Sequence, residues 1–119
     1  MQYDELKDTL EVDGKTLVMY AGILYKMDES IGGFMNLDDL TTNKSLQINF
    51  VKSILADYNE NGDVTGYKLD VFKLKPKDFD DILQWGLDHY TVFTAESSAK
   101  TLKKLKMMEE KVAELQKSL

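Results

Sequence analysis

The chain has no cysteine and no arginine, and only one proline, one histidine and one tryptophan among 119 residues. Without cysteine there is no disulfide framework, no thiolate metal site and no cysteine nucleophile, and an intracellular setting is the simpler expectation. All fifteen basic residues are lysine. The planar guanidinium fork that grips phosphate, carboxylate or guanine is therefore missing. With a net charge of −6, nucleic acid is not an expected partner. No apolar run approaches the roughly 18 residues of a membrane span. The start, Met1-Gln2-Tyr3-Asp4-Glu5, has no basic stretch ahead of an apolar one, so neither export nor membrane anchoring is expected.

What the chain does have is an unusual last segment. From Ser97 to Leu119 it reads as one amphipathic helix, with Leu105, Met108, Val112, Leu115 and Leu119 at alternating steps of three and four and Leu102 extending the stripe backwards. Such a helix would run about 33 Å, longer than a domain of this size needs for its own core. Nothing nearby in the sequence covers the stripe, so it is expected to project and to meet a partner. Charge divides at the same place: residues 97–119 carry six lysines against three glutamates, while residues 1–96 carry nine lysines against eighteen carboxylates. An acidic body and a basic tail favour head-to-tail association. The expected organisation is a compact α+β body over residues 1–96 and a projecting C-terminal oligomerisation helix over residues 97–119.

Within the body, Asp13-Gly14 between Thr9–Val12 and Thr16–Tyr20 predicts a β-hairpin. Tyr20, Ile23, Leu24, Met27 and Ile31 then mark one face of a helix that Gly32-Gly33 should stop, with Tyr25 off that face. Residues 34–44 read as an irregular connection. Ser45 is placed to cap a central helix running to about Tyr58, whose apolar set (Leu46, Ile48, Phe50, Val51, Ile54, Leu55 and Tyr58) is broader than a one-sided surface helix requires. After a turn-rich break, Tyr67, Leu69 and Val71 alternate as a strand. Phe72 and Leu74 then carry the pattern on in the opposite phase, which suggests a bulge, a bend or a strand buried on both sides near its end before Pro76. A third helix follows with the stripe Phe79, Ile82, Leu83, Leu87 and Tyr90. Gly86 lies at its centre, where it permits close packing, and Trp85 points away from the core side. Residues 91–97 should link to the tail helix, with Thr94, Ser97 or Ser98 as its cap.

Motifs for chemistry are sparse. Asp57, Asn59, Asn61, Gly62, Asp63 and Val64 match the first eight positions of an EF-hand calcium loop, but position twelve is Lys68, an ammonium where the cation needs a bidentate carboxylate. A helix-to-strand turn is the better reading. The Asp78, Asp80, Asp81 group falls in the first turn of a helix, where the macrodipole already accounts for it. His89 stands alone, and no nucleophile elbow, zinc triad or phosphate loop accompanies it, so neither enzymatic activity nor a metal or cofactor is expected. Tyr25 and Trp85, both off their helix stripes, are the kind of rigid side chain that anchors protein contacts.

Two stretches carry a resemblance. VDGKTLVMYAGILYKMDESIGG is similar to the short Asn-Gly-Lys hairpin and following helix of the tail assembly chaperones of long-tailed phages, and FDDILQWGLDHY is similar to a helix near their end. In particular the chain looks like the tape measure protein chaperones of lactococcal siphophages. The resemblance implies a non-enzymatic late protein of the host cytoplasm, not retained in the virion. Such a protein self-associates as a ring or spiral and coats the helical tape measure protein until tail subunits, the major tail protein among them, displace it. In that reading Leu102, Leu105, Met108, Val112, Leu115 and Leu119 connect neighbours, and Tyr25, Phe34, Phe50 and Trp85 line the client groove. The alternatives are a minor structural protein of a phage tail or connector, and a regulatory module dimerised through the tail.

Overall fold

The positive backbone angles of Asp13 (φ 49°) and Gly14 (φ 76°) close a two-residue turn between strands β1 (Thr9–Val12) and β2 (Lys15–Val18). Two left-handed residues in succession match the twist of the flanking strands, which pair antiparallel with Val12 opposite Lys15. The cross-strand face formed by Leu10, Val12 and Leu17 turns inward, with Val12 and Leu17 buried. The computed structural model describes residues 6–117, so Leu119 lies outside the described residues.

Helix α1 (Ala21–Ile31) buries Ile23, Leu24, Met27 and Ile31 as the periodicity predicts. Tyr20 does not join them: it is the extended cap residue, and its ring is exposed. Gly32 ends the helix in the left-handed region, where its N–H bonds to the Glu29 carbonyl and that of Gly33 to the Asp28 carbonyl. That pair of bonds is the Schellman arrangement. The Asn36 side chain then donates to the carbonyls of Ile31 and Gly32, so residues 34–40 are ordered where an irregular connection was expected. They form a 3₁₀ turn (Phe34–Asn36) and a short helix α2 (Leu37–Leu40) that buries Leu40.

The central helix α3 (Lys44–Leu55) is capped by Asn43, whose Oδ1 accepts from the Leu46 N–H, rather than by Ser45. It ends at Leu55, short of Tyr58. Ala56 is already extended, and β3 (Ala56–Tyr58) pairs antiparallel with β4 (Val64–Tyr67) across a bulge. The expected strand from Tyr67 to Leu74 is therefore displaced towards the N-terminus. The reason is Asp70, whose Oδ1 accepts from the Phe72 N–H and winds Val71–Lys73 into a 3₁₀ turn. That turn produces the phase slip, since Val71 is buried and Phe72 is 75% exposed.

Helix α4 runs unbroken from Pro76 to Lys117. The link expected at residues 91–97 does not exist. Thr94 Oγ1 bonds back to the Tyr90 and Thr91 carbonyls, and Thr101 Oγ1 to the Ser97 carbonyl, so these hydroxyls are spent inside the helix instead of capping a new one. Val92 and Thr94 are buried, carrying the body's packing through that stretch. Forty-two residues span about 63 Å at the α-helical rise, and the molecule measures 66 Å along its longest axis.

Helices α1, α3 and α4 meet at Gly86. A Cβ there would strike Ile54 Cδ1 and stand 3.1 Å from Phe50 Cε1 and 3.3 Å from Met27 Cε. Phe50 meets the Tyr90 ring edge-on at 6.1 Å, and the Tyr90 hydroxyl donates to Asp28 at 2.6 Å. The opposite side of α4 is covered as well. Trp85, expected to point away from the core, is 91% buried, and its Nε1–H donates to the Lys7 carbonyl at 2.9 Å. His89 Nε2 is 2.9 Å from the same oxygen and so carries a proton, because a carbonyl only accepts. The segment leading into β1 thus closes over a helix face that the sequence left without a neighbour.

Gly86→Ala should destabilise the fold by about 1–2 kcal/mol, the overpacking penalty exceeding the gain in helix propensity. Gly22→Ala is the control: its Cβ would meet nothing within 4 Å, and it should be neutral or stabilising. Urea midpoints at unchanged m-value would check both.

Candidate functional site: an exposed helical seam and a tyrosine-lined cleft

Every side chain described between Ala99 and Lys117 is exposed. Along this stretch Leu102, Leu105, Met108, Val112 and Leu115 lie between 50% and 66% exposed, with Met107 beside them. The helix that carries them is the one locked into the body at Gly86, so their direction is set by the core and not by a hinge. Six side chains of this size on one projecting helix form a larger apolar surface than scattered exposed residues require.

The second feature is a cleft of about 560 Å³ between the N-terminal half of α1 and the β3–β4 hairpin. Ile23 and Ala56 form its buried floor, and Tyr20, Tyr25 and Tyr58 its walls. Tyr25 is braced edge-on against Phe93 of α4 at 5.5 Å. Tyr58 is held by its hydroxyl, which donates to the Ser53 carbonyl at 2.7 Å, and Lys26 Nζ stands 5.7 Å from the centre of its ring. Burial first, then the nearby Tyr67 and Glu29, push the Tyr58 phenol up to about 12. Burial and the hydrogen bond to Asp28 raise the Tyr90 phenol in the same direction.

The calcium-like run forms the outer lip of this cleft. Asn59 Oδ1 accepts from the N–H groups of Asn61 and Asp63, which makes the run a hairpin turn, and Lys68 Nζ pairs with Asp57 at 2.6 Å. The ammonium therefore stands beside the carboxylate that would open a cation site.

No protein-family model, curated protein or solved structure matches this chain. Of the four aromatic residues named as client contacts, Tyr25 lines the cleft. Phe34 is exposed beyond the C-terminal end of α1, next to Met35, and does not line it. Phe50 is fully buried under Gly86 and Trp85 is covered by the segment around Lys7, so neither is a surface anchor. Tyr20 and Tyr58 were not expected at a site, one being assigned to the core face of α1 and the other to the apolar set at the end of the central helix, which instead stops at Leu55. A second apolar face, on which Val64, Tyr67 and Phe72 are exposed, was missed as well. The spacing of Asp70 ahead of Phe72, a local side-chain-to-backbone turn, was the available signal for it.

Both shifted phenols titrate higher in the folded chain than in the unfolded one. Their contribution to stability is thus intact below about pH 10, the ordinary phenol value. It is lost as the pH rises towards the folded-state value of about 12 at Tyr58. Ultraviolet titration should show a late tyrosinate step that coincides with unfolding, and Tyr90→Phe should make that step smaller.

Proposed function

We propose that this chain is a non-enzymatic phage tail assembly chaperone that associates head-to-tail and shields the helical tape measure protein before the tail tube polymerises. The observation that carries the reading is the exposed seam at the end of a helix whose other half is core. A seam continuous with the body's core helix and turned to solvent is suited to another chain. The division of charge between body and tail favours a second copy, and the two sequence stretches that resemble phage tail chaperones favour this biological setting.

The physical requirement of the task agrees with these features. A long helical client with recurring apolar positions aggregates if left bare, and many identical shallow sites in a row cover it better than one deep site. Head-to-tail contacts generate such a row, because a heterologous interface repeats until it closes as a ring or climbs as a spiral. Leu105, Met108 and Val112 each gain at most about 1.5–3 kcal/mol on burial. Ordering and association costs offset much of that, which keeps the assembly reversible when tail subunits compete. Among the described residues no helix is long and apolar enough to cross a membrane. Host cytoplasm and release before the virion is complete belong to the proposal.

One observation favours a second reading, a dimer through the tail. With Leu105 and Val112 at a and Met108 at d, Lys104 falls at g and Glu109 at the e position that faces it in a parallel coiled coil.

The test is the double variant Leu105→Glu, Val112→Glu. Both positions are exposed, so the thermal midpoint should hold. Light scattering after size exclusion should show a broad, concentration-dependent series of sizes for the native chain and a monomer for the variant. Co-expressed tape measure protein should stay in the soluble fraction with the native chain and be lost with the variant. A single dimer at all concentrations, with no effect on the client, would transfer the argument to the second reading.

A further inference from the structure

Because α4 is continuous and its last turns are exposed, the tail helix does not lie on its own body. If a body surface receives it, that surface belongs to another copy. Among the described residues, two faces with apolar floors come into question. The face around Tyr67 and Phe72 is lined by Lys44 and Lys52 and flanked by Lys73 and Lys75, against Asp70 and Asp80. A tail with six lysines and three glutamates is repelled there.

The tyrosine-lined cleft has the opposite balance. Its two lysines are already committed, Lys68 to Asp57 at 2.6 Å and Lys26 to Glu29 at 3.4 Å. Glu60 on the lip and Asp63 in the same turn have no ion pair among the described residues. On the tail, Lys104 and Lys111 border the seam one heptad apart, on the same side, where they can reach carboxylates along the edge of a groove. The cleft volume of about 560 Å³ and its apolar floor suit a few side chains from one helix face, the usual i, i+3, i+7 mode of helix-in-groove binding.

We propose that Leu105, Met108 and Val112 of one copy insert between Tyr20, Tyr25 and Tyr58 of the next. This deepens the reading of the tail as a connector and rests on it. Each copy then uses its tail on one neighbour and its cleft on another, so the contact is heterologous and repeats. The cleft is thereby assigned to self-association, and the Tyr67–Phe72 face is left open in the assembled array. Salt should weaken the contact through the Lys104 and Lys111 pairs.

The absence of cysteine makes the test direct. Gly22→Cys places a thiol in the cleft at a position where a Cβ meets nothing within 4 Å, and Met108→Cys places one on the exposed seam. The two full-length variants are mixed in equal amounts under mild oxidation, with the pair Phe72→Cys and Met108→Cys as reference. A disulfide needs its two Cβ atoms within about 4.5 Å, so only a seated helix cross-links quickly. The Gly22–Met108 heterodimer is expected to form at least about tenfold faster than the reference pair, reflecting the local concentration of a docked partner. Faster linkage to Phe72, linkage of Met108 only to its own kind, or no linkage in any mixture would each overturn the proposal. Failure of the chaperone reading is a separate result: the Gly22–Met108 link would form while the native chain leaves tape measure protein insoluble.

Discussion

At Gly86 the backbone of α4 comes so close to α1 and α3 that a single methyl group would collide with Ile54 and crowd Phe50 and Met27. Most of the fold follows from that approach. It brings Phe50 and Tyr90 into edge-on contact and places the Tyr90 hydroxyl on Asp28, tying the three helices at one level. Anchoring on the far side of α4 by Trp85 and His89, one turn apart and both on the Lys7 carbonyl, completes the enclosure. A helix gripped from both sides in its first half cannot choose its direction in the second. The projecting seam therefore continues the line of the core helix.

The cleft depends on the same packing by a different route. Seating α1 on α3 and α4 fixes Ile23 as a floor and lets Tyr25 brace on Phe93, while the early end of α3 at Leu55 turns the chain into the β3–β4 hairpin that forms the opposite wall. Asp57 and Lys68 hold that wall, and Asn59 shapes its tip. Asp57, Asn59 and Gly62 of the run that looked like a metal loop each have a structural task in this hairpin. What remains exposed is apolar and aromatic surface beside uncompensated carboxylates, complementary in kind to a lysine-rich helix with an apolar stripe.

Features governed by local rules were legible in the sequence. Asp13-Gly14 specifies a two-residue hairpin turn, Gly32-Gly33 a helix stop, the Gly86 position a close crossing, and the three-four spacing from Leu105 onward a helical stripe, because each depends on backbone conformation or periodicity alone. Features that depend on tertiary cover were not. Trp85 was read as outward because nothing in its own helix showed that residues near Lys7 would fold back over it. Phe50 lies on a helix apolar around much of its circumference, and which part faces solvent is decided by three neighbours rather than by period. The expected break before the tail failed because threonine hydroxyls serve equally as caps and as partners of carbonyls one turn back. Tyr20 and Tyr58, at the ends of elements, changed role when those ends moved by one to three residues.

If the tail is held by a second copy, its backbone should become protected only when copies meet. A lone projecting helix frays and exchanges its amide hydrogens quickly, whereas the core around Gly86 opens only with larger unfolding. Hydrogen exchange on the native chain at low and high concentration reads both regions at once. The account predicts that protection of residues 99–117 rises with concentration while protection of α1, α3 and the first half of α4 stays constant. Tail protection that is the same at both concentrations would contradict it.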